Sequence, residues 1–348
     1  MITVFNVGNG DSFLIEDDEL SYPLLIDTGP RGANVVSKLN PNHLSVLITH
    51  SHRDHIGGLP QILRQKTINT LYIPYYLPEI NKIASYLSKY LKGFANKINW
   101  NIICKYKLVL VYDTCTIDRK IPVFNPQQTL FSTSTISSSS IDIQNALEQL
   151  HNIGIELPAD EIINYKSPII NHIDGDDNLQ YNDYARNFVH DYFIQLYEIL
   201  SKPNKTTQNR KIMLEYHIFK SHDVSVICKY TDNENSVLFT GDASSAAFDR
   251  LIDSNRPIQS TILKIAHHGS KHNTSSKTLN YIHPGYSIIS HNNSKFGKCK
   301  DTHPHWEVLY LLATSNITQY FTNDVIKQGQ KVASATSGSV LGNFIVFK

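Results

Sequence analysis

Apolar residues fall in short runs at both ends of the chain and take helical spacing through its middle. Residues 2–7 read as a strand, Gly8-Asn9-Gly10-Asp11 as a tight turn, and residues 12–16 as the next strand. Leu24-Leu25-Ile26 predicts a third strand, closed by Asp27-Thr28-Gly29. A short helix is expected over residues 34–39, then a buried strand over 45–49 from which His50 opens a loop. The middle differs: apolar positions 80, 83, 84, 87, 91 and 94 keep a helical period across residues 78–100. Further helices are expected over 141–153 and 182–201, the latter with Ala185, Phe188, Val189, Tyr192, Phe193 and Leu196 on one face. Just before the first of these, the Ser/Thr-rich run 132–140 reads as an exposed loop. Strand character returns at 224–230 and 236–240, joined by Asp232-Asn233-Glu234-Asn235, and again at 261–266, 286–290 and 344–347. Residues 244–254 and 308–314 carry helical spacing. The expectation is an α/β domain spanning 1–348, with residues 75–215 a mostly helical insertion or cap within it.

Length and composition narrow the classes. At 348 residues and 41% hydrophobic content the chain can bury a substantial core. It has no apolar run of roughly 18 residues, so no membrane insertion is expected. The opening residues lack a basic stretch followed by an apolar one, so a signal peptide is not expected either. Cysteines at 104, 115, 228 and 299 form no CxxC pair, which argues against a cysteine-built metal site and against a disulfide framework. The cytoplasm is the expected compartment. A net charge of +1 excludes a general polycation. Histidine is the informative count: there are 16, several of them clustered with carboxylates.

The densest cluster is His50-Ser51-His52-Arg53-Asp54-His55. Histidines two apart in a loop after a strand can turn both imidazoles toward one cation, and the Asp-His that follows can reach a second. Nitrogen and carboxylate ligands suit zinc, and also manganese or iron. Gly57-Gly58 is expected to let the backbone pass close to the metals.

This segment is the HxHxDH motif of the metallo-β-lactamase superfamily. More narrowly, five further segments resemble the metallohydrolase domain of the ComEC family of DNA-uptake proteins: Val7-Gly8-Asn9-Gly10-Asp11-Ser12, Leu25-Ile26-Asp27-Thr28-Gly29, Phe239-Thr240-Gly241-Asp242, Leu263-Lys264-Ile265-Ala266-His267-His268-Gly269-Ser270 and Thr302-His303-Pro304-His305. They occur in family order over about 1–75 and 215–315; the family's channel-forming membrane segments are absent from this sequence. The resemblance implies a four-layer αββα sandwich holding two divalent metal ions, Zn2+ or Mn2+, at one edge. It implies His50 and His52 on one ion, Asp54 and His55 on the other, and Asp242 bridging them. His222, 20 residues before Asp242, matches the third histidine of the first ion. His267 or His268 is expected to face the site, the other to support a ligand or donate a proton. His303 is a candidate ligand of the second ion and His305 a lesser one. Asp11 and Asp27 fit supporting roles. His43, His151, His172, His190 and His217 lie outside any ligand-spaced cluster and read as structural or surface residues.

Such a centre would activate water for hydrolysis, with Asp54, His267 and His268 as the candidate catalytic residues. Because the same arrangement serves several substrates, the metal motif alone names none. The ComEC resemblance points to phosphodiesters, hence a nucleic acid, DNA or RNA, as substrate. Charge placement points the same way: residues 264–300 hold six lysines and no Asp or Glu. The alternatives are a hydrolase of a small ester or nucleotide, with the helical middle as its lid, and a catalytically degenerate subunit of a larger assembly. Protein partners and homo-oligomerisation stay open.

Overall fold

The computed structural model describes residues 1–91, 98–131, 141–173, 177–202, 209–293 and 302–348. The chain divides into two compact units. The first comprises Met1–Pro74, Tyr106–Pro126 and His222–Lys348; the second comprises Tyr75–Lys105 and Gln127–Ser221.

Short apolar runs set the first unit. Strands β1 (Ile2–Val4), β2 (Phe13–Ile15), β3 (Leu24–Ile26), β4 (His43–Leu47), β5 (Thr67–Pro74) and β6 (Leu108–Val111) lie side by side in chain order. A second sheet is built from β7 (Thr116–Ile117), β8 (Ile121–Asn125), β9 (Ile227–Thr231), β10 (Ser236–Phe239), β11 (Ile262–Lys264), β12 (Tyr286–Ile289) and β13 (Thr318–Phe321). A small hairpin, β14 (Val325–Lys327) and β15 (Gln330–Ala333), precedes β16 (Gly338–Val340) and β17 (Ile345–Phe347), which return to extend the first sheet beyond β1.

The alternation of side chains across each strand explains the layering. Val4, Phe13, Ile15, Ile26 and Leu47 from the first sheet meet Cys228, Tyr230, Val237, Phe239, Ile262 and Ile288 from the second in one core. The intervening residues Ile227, Leu238, Leu263 and Ile289 face the other way, onto Phe248, Leu251, Leu279, Ile282, Val308 and Leu312 of three helices (Ser245–Asp253, Ser276–Ile282 and Trp306–Thr314). A strand with apolar residues on both faces must be covered on both. This is the α/β architecture of the expected sandwich. Strands β10 to β13 are mutually parallel, as are β3 to β6, so consecutive site loops leave each run at one edge.

Several expected elements shift. The short helix expected over 34–39 is a 3-10 helix, Val35–Lys38. The helix expected over 78–100 is Leu77–Tyr86 followed by a short Trp100–Ile103, and residues 92–97 are outside the described set. The loop expected at 132–140 is also outside the described residues. The helix Leu59–Gln65 and strand β5 were not expected. The mostly helical reading of 75–215 needs a correction, because β6, β7 and β8 fall inside it. Leu108-Val109-Leu110-Val111 is a four-residue apolar run with no helical period, and such runs belong to strands.

The second unit is helical where it is described: Leu77–Tyr86, Trp100–Ile103, Ile143–Asn152, Ala159–Ile163, Asp177–Leu200 and most of Asn209–Asp223. Asp142 caps the third of these by accepting from Asn145 N. Ala185, Phe188, Val189, Tyr192, Phe193 and Leu196 are all buried, as their spacing requires. Phe188 stacks on Tyr76 with ring centroids 4.9 Å apart. An acid lies in this apolar interior. Glu79 is fully buried and accepts hydrogen bonds from Tyr181 Oη at 2.9 Å and Tyr165 Oη at 3.4 Å. Burial pushes its carboxyl up to about 7. Among the described residues no helix is long and apolar enough to cross a membrane.

Candidate metal centre

The site lies wholly within the first unit and is assembled from loops that follow strands. His50 stands three residues past β4, and His52 precedes the short helix Arg53–Ile56, which carries Asp54 and His55. Asp242 follows β10, and His267-His268 follow β11. His222 sits in the last turn of the helix Asn209–Asp223, not in a loop leading into a strand. Both histidines of the 267–268 pair adopt left-handed backbone conformations, with φ of 48° and 54°. Non-glycine residues take that conformation only when the surroundings enforce it.

Two glycine contacts show how tightly the loops are fitted. A Cβ on Gly269 would sit 2.5 Å from Pro304 Cβ, so this glycine lets the His267-His268 loop pack on the His303-Pro304-His305 segment. A Cβ on Gly58 would lie 2.3 Å from the Thr28 carbonyl oxygen. The expectation that Gly57-Gly58 clears space for metals is therefore corrected at Gly58: the close neighbour there is the backbone of the Asp27-Thr28-Gly29 turn.

Asp242 is the hub. Its carboxylate lies 3.7 Å from His50 Nε2, 3.3 Å from His55 Nε2, 3.7 Å from His222 Nε2, 3.9 Å from His267 Nε2 and 3.8 Å from His268 Nε2. Among the described residues, three sets of donor atoms converge closely enough to share a cation: His50, His52, His222 and Asp242; Asp54, His55 and His268; and Asp11, His55 and Asp242. His268 Nε2 lies 3.2 Å from Asp54 Oδ2, while its Nδ1 faces the Ser290 carbonyl at 2.9 Å. His267 is partly exposed and its ring packs at a tilt against that of His222, centroids 4.4 Å apart. His303 is outside the three sets. Its ring lies 5.1 Å from that of His267 and 4.5 Å from that of His305, while His305 Nδ1 accepts from Lys271 N. Of the histidines read as structural, His190 Nε2 faces the Ile162 carbonyl and His217 Nδ1 faces Tyr192 Oη, both in the helical unit.

Asp27 accepts from Thr49 N at 2.8 Å and Thr49 Oγ1 at 2.7 Å, and lies 2.7 Å from His55 Nδ1. That last contact turns His55 Nε2 toward Asp242. Four further residues escaped the sequence reading. Asn9 Nδ2 donates to Asp54 Oδ2 at 3.0 Å. Ser225 Oγ accepts from Asp242 N at 3.2 Å. Asn273 Nδ2 donates to the Asp242 and Ala243 carbonyls, and its Oδ1 faces His267 Nδ1. Lys264 is fully buried beside Asp11. Asn9 and Lys264 both stand in segments singled out above, Lys264 as a charged residue closing an apolar strand, whereas Ser225 and Asn273 left no signal.

Burial and then neighbouring imidazoles push His50 and His222 well below the usual histidine range; burial takes His52 down to about 4. These rings are therefore neutral near pH 7 and offer nitrogen lone pairs, as cation binding requires. His55 behaves oppositely. Burial disfavours its charge, but Asp242 and Asp27 outweigh that and hold the ring well above its usual value. Burial likewise opposes ionisation of Asp242 and Asp54. The charge of His55 and then of His268 outweighs it for Asp242, as does the His268 hydrogen bond for Asp54, and both carboxyls stay well below their usual range. Divalent cations fit this chemistry. The Nε2 atoms of His50 and His55 are buried without a hydrogen-bond partner, and the imidazole and carboxylate donors suit zinc or manganese.

Removing the support of His55 should be felt at the centre. Asp27→Asn is expected to weaken metal binding by about 10–100-fold, the usual effect of losing such a partner. Competition against a chromophoric chelator measures this, and an unchanged affinity would show that Asp27 serves only the turn.

Residues 5–127 match the family model of the metallo-β-lactamase superfamily. No curated protein matches the chain. Among solved structures it is similar to the metallo-β-lactamase fold protein YhfI from Bacillus subtilis, at 12% identity and a TM-score of 0.41, over 92% of this chain and 94% of that one. It is also similar to the isothiocyanate hydrolase from Delia radicum gut bacteria, at 9% identity and a TM-score of 0.38, over 97% and 100%. A third is a diphosphatase from the PhnP family, at 11% identity and a TM-score of 0.35, over 87% and 94%. The family-model match spans the His50–His55 loop, the supporting Asp27 turn and strands β2 to β6 of the first sheet, and it identifies residues 5–127 as metallo-β-lactamase superfamily sequence.

Proposed function

We propose that this protein is a metal-dependent hydrolase, and that its substrate class is the phosphodiester of a nucleic acid. The observation that carries the hydrolase reading is the setting of Asp242: a buried carboxylate within 3.9 Å of five imidazole nitrogens, at the junction of convergent donor sets. On this reading His50, His52 and His222 would hold one cation, Asp54, His55 and His268 would hold a second, and Asp242 would serve both, zinc or manganese being the ions. Bound there, such cations lower the pKa of water toward ~7 and offset negative charge that develops during hydrolysis.

The chain's own residues supply the rest. Asn9 Nδ2 donates to Asp54 Oδ2 and fixes that carboxylate, while the Ser290 carbonyl holds His268 Nδ1 and turns its Nε2 toward the same place. Asp27 holds His55 Nδ1, so that Nε2 stays aimed at Asp242. Asn273 orients His267 by accepting from its Nδ1, so that the partly exposed Nε2 can take a proton from the attacking water and pass it to the departing alkoxide.

The phosphodiester assignment is supported by the ordered ComEC-like segments. The lysine-rich stretch supports it less than its composition suggests. Lys264 is buried on Asp11, Lys271 pairs with Glu307 at 2.6 Å, and Lys277 pairs with Asp249 at 2.7 Å; Lys295, Lys298 and Lys300 lie outside the described residues. That pairing favours the second reading, a hydrolase of a small ester or nucleotide. Cleavage of labelled single- and double-stranded DNA and RNA decides between them, run on wild type and Asp54→Ala with added manganese or zinc. Nucleic-acid cleavage that needs the cation, falls steeply with salt and is lost in Asp54→Ala is the expected result. Metal-loaded protein that leaves all four polymers intact but hydrolyses a small phosphodiester would move the assignment to the second reading.

A further inference from the structure

One component of the centre is already a cation. Lys264 ends β11 and, by strand alternation, faces the same side as Ile262, into the space between the two sheets. That side is apolar elsewhere, and the Lys264 side chain is fully buried in it. Its ammonium is ion-paired with Asp11, donates to the Gly241 carbonyl at 2.8 Å and stands 3.8 Å from Asp242 Oδ1. A lysine so completely removed from water is held only where anions compensate it. Both of those anions belong to one of the three convergent donor sets, that of Asp11, His55 and Asp242.

We propose that Lys264 is a resident cation of the centre: its ammonium fills the Asp11–His55–Asp242 set and confines divalent ions to the other two. The proposal rests on the metal-centre reading above and adds to it. Asp11 becomes the partner of Lys264 and stands outside the ligand set. Asp242 keeps a permanent positive neighbour, so the centre carries a compensating charge whether or not metal is bound. As a positioning residue, Lys264 acts on the cations through Asp11 and Asp242.

The test uses the full chain as wild type, Lys264→Met and Lys264→Arg, stripped with chelator and reloaded with Mn2+. Ions per chain are counted by elemental analysis, and melting is followed in chelator and in Mn2+. Lys264→Met should melt about 5–10 °C lower than wild type in chelator, as expected for a buried pair broken from one side. It should recover most of that loss in Mn2+ and take up one more ion per chain. Lys264→Arg, which keeps the charge, should stay close to wild type in both readouts. Equal melting in chelator together with an equal ion count for Lys264→Met would overturn the proposal. Should Lys264→Met not fold, the double variant Asp11→Asn/Lys264→Met replaces it. Removing both charges together should restore folding, and a double variant that also fails to fold would count against the pairing. Wild type that takes up no Mn2+ would overturn the metal-centre reading. Wild type with two ions and Lys264→Met indistinguishable from it would overturn the Lys264 proposal alone.

Discussion

Asp242→Ala is expected to empty the centre and abolish hydrolysis, leaving only the rate seen in chelator. Its carboxylate lies 3.7 Å from His50 Nε2 and 3.8 Å from His268 Nε2, one from each proposed donor set, and two close cations need shared negative charge between them. The stripped protein should suffer as well. In it the Asp242 carboxylate faces His55, held protonated by its carboxylate neighbours, and the ammonium of Lys264. Leaving buried positive charge uncompensated costs about 3–5 kcal/mol. Denaturant midpoints in chelator read that loss, and elemental analysis reads the metal. Asp242→Asn keeps the volume and one acceptor oxygen and should fall between. A fully loaded, active Asp242→Ala would remove Asp242 from the centre and leave the two cation positions to be explained separately.

Glu79→Gln should stabilise the helical unit at neutral and alkaline pH. The carboxyl titrates near 4.5 when exposed and near 7 in the fold, so the folded state binds the proton more tightly. The stability it contributes is fully present below about 4.5 and is lost as pH rises toward 7. That interval corresponds to about 3 kcal/mol. Above 7 the wild type holds a carboxylate among Tyr165, Tyr181 and apolar neighbours, whereas glutamine stays neutral. The variant should therefore match wild type near pH 4 to 5 and exceed it near pH 8, with a flatter pH profile. Melting temperatures at the two pH values check this. Parallel profiles would show that Glu79 does not titrate between 4.5 and 7.

The layered α/β architecture and the core of the site were legible from residue order. Strands such as 24–26, 236–239 and 286–289 announce themselves because a β-strand needs only local alternation or a short apolar run. The His50–His55 loop is equally local: six residues carry four of the donors that converge, so no knowledge of the fold is needed to group them. The same locality misled at residues 108–125, where three short strands sit amid helical sequence and pair with partners up to 105 residues away.

Other features exist only in three dimensions. The sequence shows that His222, Asp242 and His268 are polar residues near strand ends; it does not measure the 3.7 and 3.8 Å that bring them to one carboxylate. Which member of the 267–268 pair approaches Asp54 depends on two left-handed residues in succession, a conformation imposed by packing and not by local preference. His303 follows the expected motif yet stands beside His267 and outside the donor sets, because the Gly269–Pro304 contact sets where its loop can lie. Lys264 looks like one of six basic residues until the fold buries it against Asp11 and Asp242. Residue type and spacing thus determined what chemistry this chain can hold. The long-range pairing of strands decided which donors meet, since distances of a few ångströms between residues 200 positions apart are set by packing and not by chain proximity.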